Sequence, residues 1–84
     1  MSDLLSRIAR DRDRAAFRQL FEEYARRVAS YMMKQGADPA TAEELAQETL
    51  LTVWRKAALY SPEKGAVSTW IFTIARNLRI DRIR

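Results

Sequence analysis

Apolar residues recur at steps of three and four along the chain, and no segment shows the period-two alternation of a strand. The only glycines are Gly36 and Gly65 and the only prolines Pro39 and Pro62, so the breakers fall in two short stretches and leave three helical blocks. In the first block Phe17, Leu20, Phe21, Tyr24, Val28, Tyr31 and Met32 mark one face, with Asp13 as the N-cap. Gly36 closes that block by accepting the left-handed conformation. Ahead of it, Leu4, Leu5 and Ile8 predict a short leading helix, and the alternating Arg and Asp of Arg10–Arg14 read as its polar exit.

The second block opens on Asp38-Pro39, a cap followed by a residue whose missing N–H costs nothing at the first helical position. Thr41 and Glu44 offer an alternative capping box. From there to about Ala58, Ala42, Leu45, Ala46, Thr49, Leu50, Val53 and Ala57 fall within one half of a helical wheel and predict its core face. Ser61–Gly65 concentrates turn formers and predicts a loop. Ser68 or Thr69 is then expected to cap a third helix, with Ile71, Ile74, Ala75 and Leu78 buried. The expected fold is all-α: a compact bundle of three main helices plus a short N-terminal one.

Composition narrows the function. The 84 residues allow one domain, and 48% hydrophobic with 31% charged residues is a globular balance. Cysteine and histidine are absent, which removes disulfides, thiolate and imidazole metal sites, and the commonest nucleophile and base. Neither an enzyme nor a cofactor or metal protein is expected, and no GxxxxGK, GxGxxG, CxxC or HExxH pattern occurs. No apolar run approaches the roughly 18 residues of a membrane span, and no cleavable leader is visible, so the expected location is cytoplasmic. Basic residues are spread over several faces, which disfavours a membrane-surface helix.

The net charge of +4 is unevenly placed. Met1–Gly36 and Ala57–Arg84 each carry +3, whereas Ala37–Lys56 carries −2. Basic ends attract phosphate and an acidic middle repels it, so two different partners become conceivable. The competing reading is a solvated acidic face with no partner.

Two sets of residues are left over by the core. Leu51 lies nearly opposite the buried stripe of the second helix and shares its face with Glu44, Gln47, Glu48 and Arg55. An apolar centre with a charged rim is a common form of protein-docking face, although a lone exposed leucine is also ordinary. On the third helix, Thr73, Arg76, Asn77, Ile80 and Arg84 point away from the stripe, with Trp70 at its margin. Arginine neutralises phosphate, asparagine pairs with a base edge, and tryptophan offers a stacking surface. Tyr60 and Lys64 add a ring and a cation beside the loop. The competing reading makes Trp70 a core-edge residue and the arginines a solvated helix end. The loop is too long for the tight turn of a duplex-reading helix pair, and stacking groups beside it favour unpaired bases.

The second and third helices resemble bacterial RNA polymerase sigma factors of the extracytoplasmic-function (ECF) group. Ala42-Glu43-Glu44-Leu45-Ala46-Gln47-Glu48-Thr49-Leu50-Leu51-Thr52-Val53-Trp54 is similar to that family's polymerase-binding region, with Ala46 and Leu50 where larger or aromatic residues are frequent. Ser68-Thr69-Trp70-Ile71-Phe72-Thr73-Ile74-Ala75-Arg76-Asn77, followed by Asp81 and Arg82, is similar to the region that opens promoter DNA, and Phe17, Leu20, Phe21, Tyr24 and Val28 fit the family's first conserved helix. The resemblance implies that Glu43, Glu44, Gln47, Glu48, Leu51 and Arg55 contact a coiled coil of the largest subunit of core RNA polymerase. It also implies that Tyr60, Lys64, Trp70, Thr73, Arg76 and Asn77 hold the non-template single strand of the minus-ten promoter element, with one base flipped into a pocket under the loop. The loop varies within the family, so the accepted base is not legible. An anti-sigma factor partner is implied by analogy. Residues 1–84 then read as the promoter-melting domain alone, without the second helical domain of a complete factor. The alternative is a helical protein-interaction module without nucleic-acid binding.

Overall fold

A computed structural model describes residues 2–83, excluding the side chain of Ser2. Helix α1 spans Ser2–Asp11, α2 Arg14–Lys34, α3 Pro39–Lys56 and α4 Val67–Ile83, and two 3₁₀ turns, Ala57–Leu59 and Pro62–Lys64, lie between α3 and α4. Arg84 and its place on the last helix's polar face lie outside the described residues.

The leading helix forms as its pattern requires, burying Leu5 and Ile8. It is locked to α2 at the corner. The Asp13 carboxylate accepts from the Ala16 backbone N–H at 3.0 Å and from the Arg7 guanidinium at 3.0 and 3.1 Å. These bonds hold the Asp13 carboxyl below its ordinary range, the Ala16 bond contributing most. Arg12 takes a positive φ of 51° at the corner, and its guanidinium stacks 3.9 Å from the Trp54 ring centroid while donating to the Trp54 carbonyl at 2.7 Å. Much of the Arg10–Arg14 run is therefore spent within the chain, with Arg10 on Asp11 as well.

The buried line of α2 differs from the expected one. Ala16, Leu20, Tyr24, Val28 and Met32 are buried, whereas Phe17, Phe21 and Tyr31 are only half-buried. A strict four-residue step drifts around the helix, about 40° each time. The drift suits a helix that touches α1, α3 and α4. At its end Gly36, at φ 100°, donates to the Met33 carbonyl and Ala37 donates to the Met32 carbonyl, each at 3.0 Å, closing the helix in a Schellman arrangement.

In α3 every expected core position is buried, and Thr52 joins them. Hydroxyls of Thr49 and Thr52 donate to the Leu45 and Glu48 carbonyls at 2.7 and 2.8 Å, so neither is orphaned in the core. Asp38 is the N-cap residue and Pro39 starts the helix, so the Thr41–Glu44 box is not used. No side-chain hydrogen bond of normal geometry closes this cap. The Thr41 hydroxyl beside the Asp38 carboxyl nevertheless lowers its pKa, helped by the Thr41 N–H and by Arg82.

Beyond α3 the expectation needs two corrections. Ser61–Gly65 contains an ordered 3₁₀ turn, and α4 begins at Val67, so Ser68 and Thr69 lie in its first turn instead of capping it. Burial of Val67 extends the apolar stripe one turn toward the N-terminus, and Ala66 accepts from the Trp70 N–H at 3.1 Å. Val67, Ile71 and Ala75 form the buried line of α4, while Ile74 and Leu78 are half-buried at its edge.

Candidate functional site

Helix α4 presents one face that the core does not use. With Ile71 and Ala75 fixed inward, Thr73, Arg76, Asn77 and Ile80 are exposed on the far side. Asn77 follows Trp70 by two turns and lies within about 20° of it around the axis, about 10 Å further along. The Thr73 hydroxyl donates to the Thr69 carbonyl at 2.8 Å, which leaves its oxygen lone pairs free to accept. Among the described residues Arg76 and Asn77 make no side-chain hydrogen bond or ion pair. The other arginines of α4 are engaged: Arg79 donates to the Gln35 carbonyl at 2.7 Å, and Arg82 reaches two carboxylates of α3.

At the N-terminal end of this face the half-buried rings of Tyr60 and Trp70 stand 5.4 Å apart, tilted by 56°. The Tyr60 hydroxyl donates to the Gly65 carbonyl at 2.8 Å, so one side chain ties the start of the 61–65 strap to its end. Gly65 has φ 102°, a conformation that side chains resist, and its N–H closes the 3₁₀ turn on Pro62. Lys64 is exposed on this strap. Of the six residues assigned to nucleic acid from sequence, the structure brings Tyr60 and Trp70 into contact and places Thr73, Arg76 and Asn77 along the same helix face. Trp70 is a core-edge residue and a surface ring at once, since it is half-buried and packs against the core.

Glu43, Glu44, Gln47, Glu48, Leu51 and Arg55 are all exposed along α3. Leu51 is 49% exposed. It is not an isolated apolar residue, because Phe17, Phe21 and Trp54 line the same shallow groove, with Arg14, Arg18 and Glu22 around it. Phe17 holds that groove together, 5.1 Å from the Trp54 ring and 6.0 Å from Phe21. Phe17 and Phe21 were assigned to the core from sequence, and Trp54 only to the motif that ends with it; their half-burial was the missed signal.

The acidic residues divide on either side of Leu51. Glu43 and Gln47 border a second, open groove between α2 and α3, where Tyr31 and Phe72 lie edge to face at 5.5 Å. Glu44 and Glu48 face α4, and Arg82 sits 2.5 Å from the Glu44 carboxylate and 3.7 Å from that of Glu48. Arg55 donates to the Thr52 hydroxyl at 3.2 Å. Arg82 was not legible as a partner of these carboxylates, because 38 residues separate it from Glu44 and only the approach of α4 to α3 brings them together. No described helix is long and apolar enough to cross a membrane.

Comparison with known proteins places this geometry. The family model for sigma-70 region 2 matches residues 20–84. The ECF RNA polymerase sigma factor RpoE of Cereibacter sphaeroides is 52% identical over 81 residues, covering 95% of this chain and 45% of that protein. The ECF sigma factor SigK of Mycobacterium tuberculosis is 36% identical over 81 residues, covering 96% of this chain and 43% of its own. Among solved structures, Rhodobacter sphaeroides SigE in complex with the anti-sigma ChrR superposes with a TM-score of 0.91 at 49% identity, over 98% of this chain and 49% of that one. The chain thus spans about half the length of the relatives it matches. The helical order, the α3 and α4 motifs and these matches agree: the chain belongs to the sigma-70 region 2 family, among the extracytoplasmic-function sigma factors.

Proposed function

We propose that this domain binds core RNA polymerase through the exposed α3 face and holds unpaired bases of promoter DNA with the 61–65 strap and α4. The observation that carries the reading is the separation of two unlike faces on one small bundle. One sets Leu51 among the exposed Glu43, Glu44 and Glu48 of α3, with Arg14 and Arg18 on its α2 margin, and the other offers Arg76, Asn77 and the Thr73 oxygen beside the Tyr60–Trp70 pair. Residues 1–84 act as the promoter-melting domain of an alternative sigma factor, working in the cytoplasm where the transcription machinery lies.

The role is binding, not catalysis. Opening a base pair and its stacks costs a few kcal/mol, and a protein favours the open strand only by binding it better than the duplex. Stacking contributes about 1–3 kcal/mol per base, and cationic contacts to phosphate add a salt-dependent amount. Tyr60, Trp70, Lys64 and Arg76 offset one or two opened steps on that scale, so polymerase must supply the rest of the bubble. The α3 face is also the proposed seat of an anti-sigma factor, by similarity to the SigE relative solved with ChrR.

The test uses two pairs of variants. Leu51→Asp with Glu43→Lys, which leaves the Glu44 and Glu48 pairing with Arg82 in place, is expected to abolish binding to core polymerase and leave single-strand binding nearly unchanged. Trp70→Ala with Asn77→Ala is expected to do the reverse. If both pairs affected only a protein partner, the nucleic-acid role would fall and the docking-module reading, which the Leu51 groove favours, would replace it.

A further inference from the structure

Arg82 continues the buried line of α4 in register, at the positions Ile71, Ala75, Leu78 and Arg82, but there the helix has run past the core. A long side chain at that place lays its stem along the bundle and carries its charge to the edge. The charge lands on Glu44 and Glu48, and its field also reaches the Asp38 carboxyl at the start of α3. Two carboxylates of the acidic helix therefore share one guanidinium supplied by the nucleic-acid helix. The pair is half in water: side-chain exposure is 40% for Arg82, 60% for Glu44 and 53% for Glu48. An exposed pair of this kind is weak and screened by salt, so it can be exchanged for another partner.

We infer that Arg82 is an internal counter-ion that a basic polymerase surface must displace from Glu44 and Glu48. The inference rests on the α3 face being the polymerase-binding face.

The test measures equilibrium binding to core RNA polymerase by the wild-type chain and by Arg82→Gln, at low salt and near 1 M salt. Arg10→Gln removes the same charge at an exposed site on α1 and controls for net charge. Arg82→Gln is expected to bind about two- to five-fold more tightly at low salt, the range of an exposed ion pair. The gain should vanish at high salt, be absent in Arg10→Gln, and be absent when Glu44→Gln and Glu48→Gln are already present. Equal or weaker binding by Arg82→Gln overturns the inference, as does a gain that persists without the two carboxylates. So does loss of the helical circular-dichroism signal in Arg82→Gln, because an exchangeable pair cannot be needed for folding. A wild-type chain that fails to bind polymerase overturns the parent reading, and the inference with it. A wild-type chain that binds, with Arg82→Gln unchanged, overturns the inference alone.

Discussion

The strap ahead of α4 gives the sharpest separation between binding and stability. Tyr60 contributes two contacts there, a hydroxyl bond to the Gly65 carbonyl at 2.8 Å and a ring pair with Trp70 at 5.4 Å. Residues Pro62–Ala66 are exposed, so the strap adds little to the core. Tyr60→Phe removes the hydroxyl alone. A typical net hydrogen bond is worth about 0.5–1.5 kcal/mol, and this exposed one belongs at the low end, so strand affinity should fall about two-fold. Tyr60→Ala also removes the ring pair, worth about 0.5–1.5 kcal/mol. Together the losses predict about 5- to 30-fold weaker binding to a single-stranded oligonucleotide, with altered preference at the one base that the strap borders. Fluorescence anisotropy with labelled oligonucleotides reads the affinity, and thermal unfolding by circular dichroism reads the stability. The reasoning is refuted if Tyr60→Ala binds with wild-type affinity and base preference. It is refuted equally if a midpoint collapse accounts for the whole loss, since the strap would then be a folding element.

Other expectations concern the scaffold. Ile71→Ala empties a fully buried site between the helices and should cost about 2–5 kcal/mol, seen as a lower urea midpoint. Gly36→Ala meets open space but must hold φ 100°, so its cost of about 1 kcal/mol is purely conformational and should lower the melting midpoint by about 4–8 °C. Asp13 and Asp38 have folded-state pKa values depressed below 3.8, Asp13 chiefly by its bond to the Ala16 N–H and Asp38 chiefly by the Thr41 hydroxyl beside it. Their contribution is complete above the unfolded value and is lost as pH falls through the folded ones, so stability should decline on acidification below about pH 4. Asp13→Asn should flatten that decline in pH-dependent unfolding curves.

How much of this was legible depends on the spacing of each helix's buried residues. In α3 the core positions follow the i, i+3, i+4, i+7 pattern, so one stripe of the wheel identified the buried face. In α2 the same rule placed Phe17, Phe21 and Tyr31 in the core. There the buried residues keep a strict four-residue step, which makes the buried line drift, so these rings end at groove margins. The α4 start was misplaced because Ser68 and Thr69 are strong local capping signals, and burial of Val67 outweighs them. At the candidate site the wheel sorted exposed from buried residues correctly, since Thr73, Arg76 and Asn77 are exposed as expected. It could not reveal the Arg82 pairing, the Arg79 bond to Gln35 or the Tyr60 tie to Gly65. Those depend on helix crossing and loop closure, which sequence spacing does not encode.

The central claim is that the last helix and its strap hold unpaired bases. It is tested most directly by the affinity of the wild-type chain for one promoter sequence as single strand and as duplex, with oligonucleotides differing at one base, at two salt concentrations. The account predicts weak binding that favours the single strand, falls with salt through phosphate contacts, and retains a base preference at both salts. A clear preference for duplex, or binding indifferent to both strandedness and base, would contradict it.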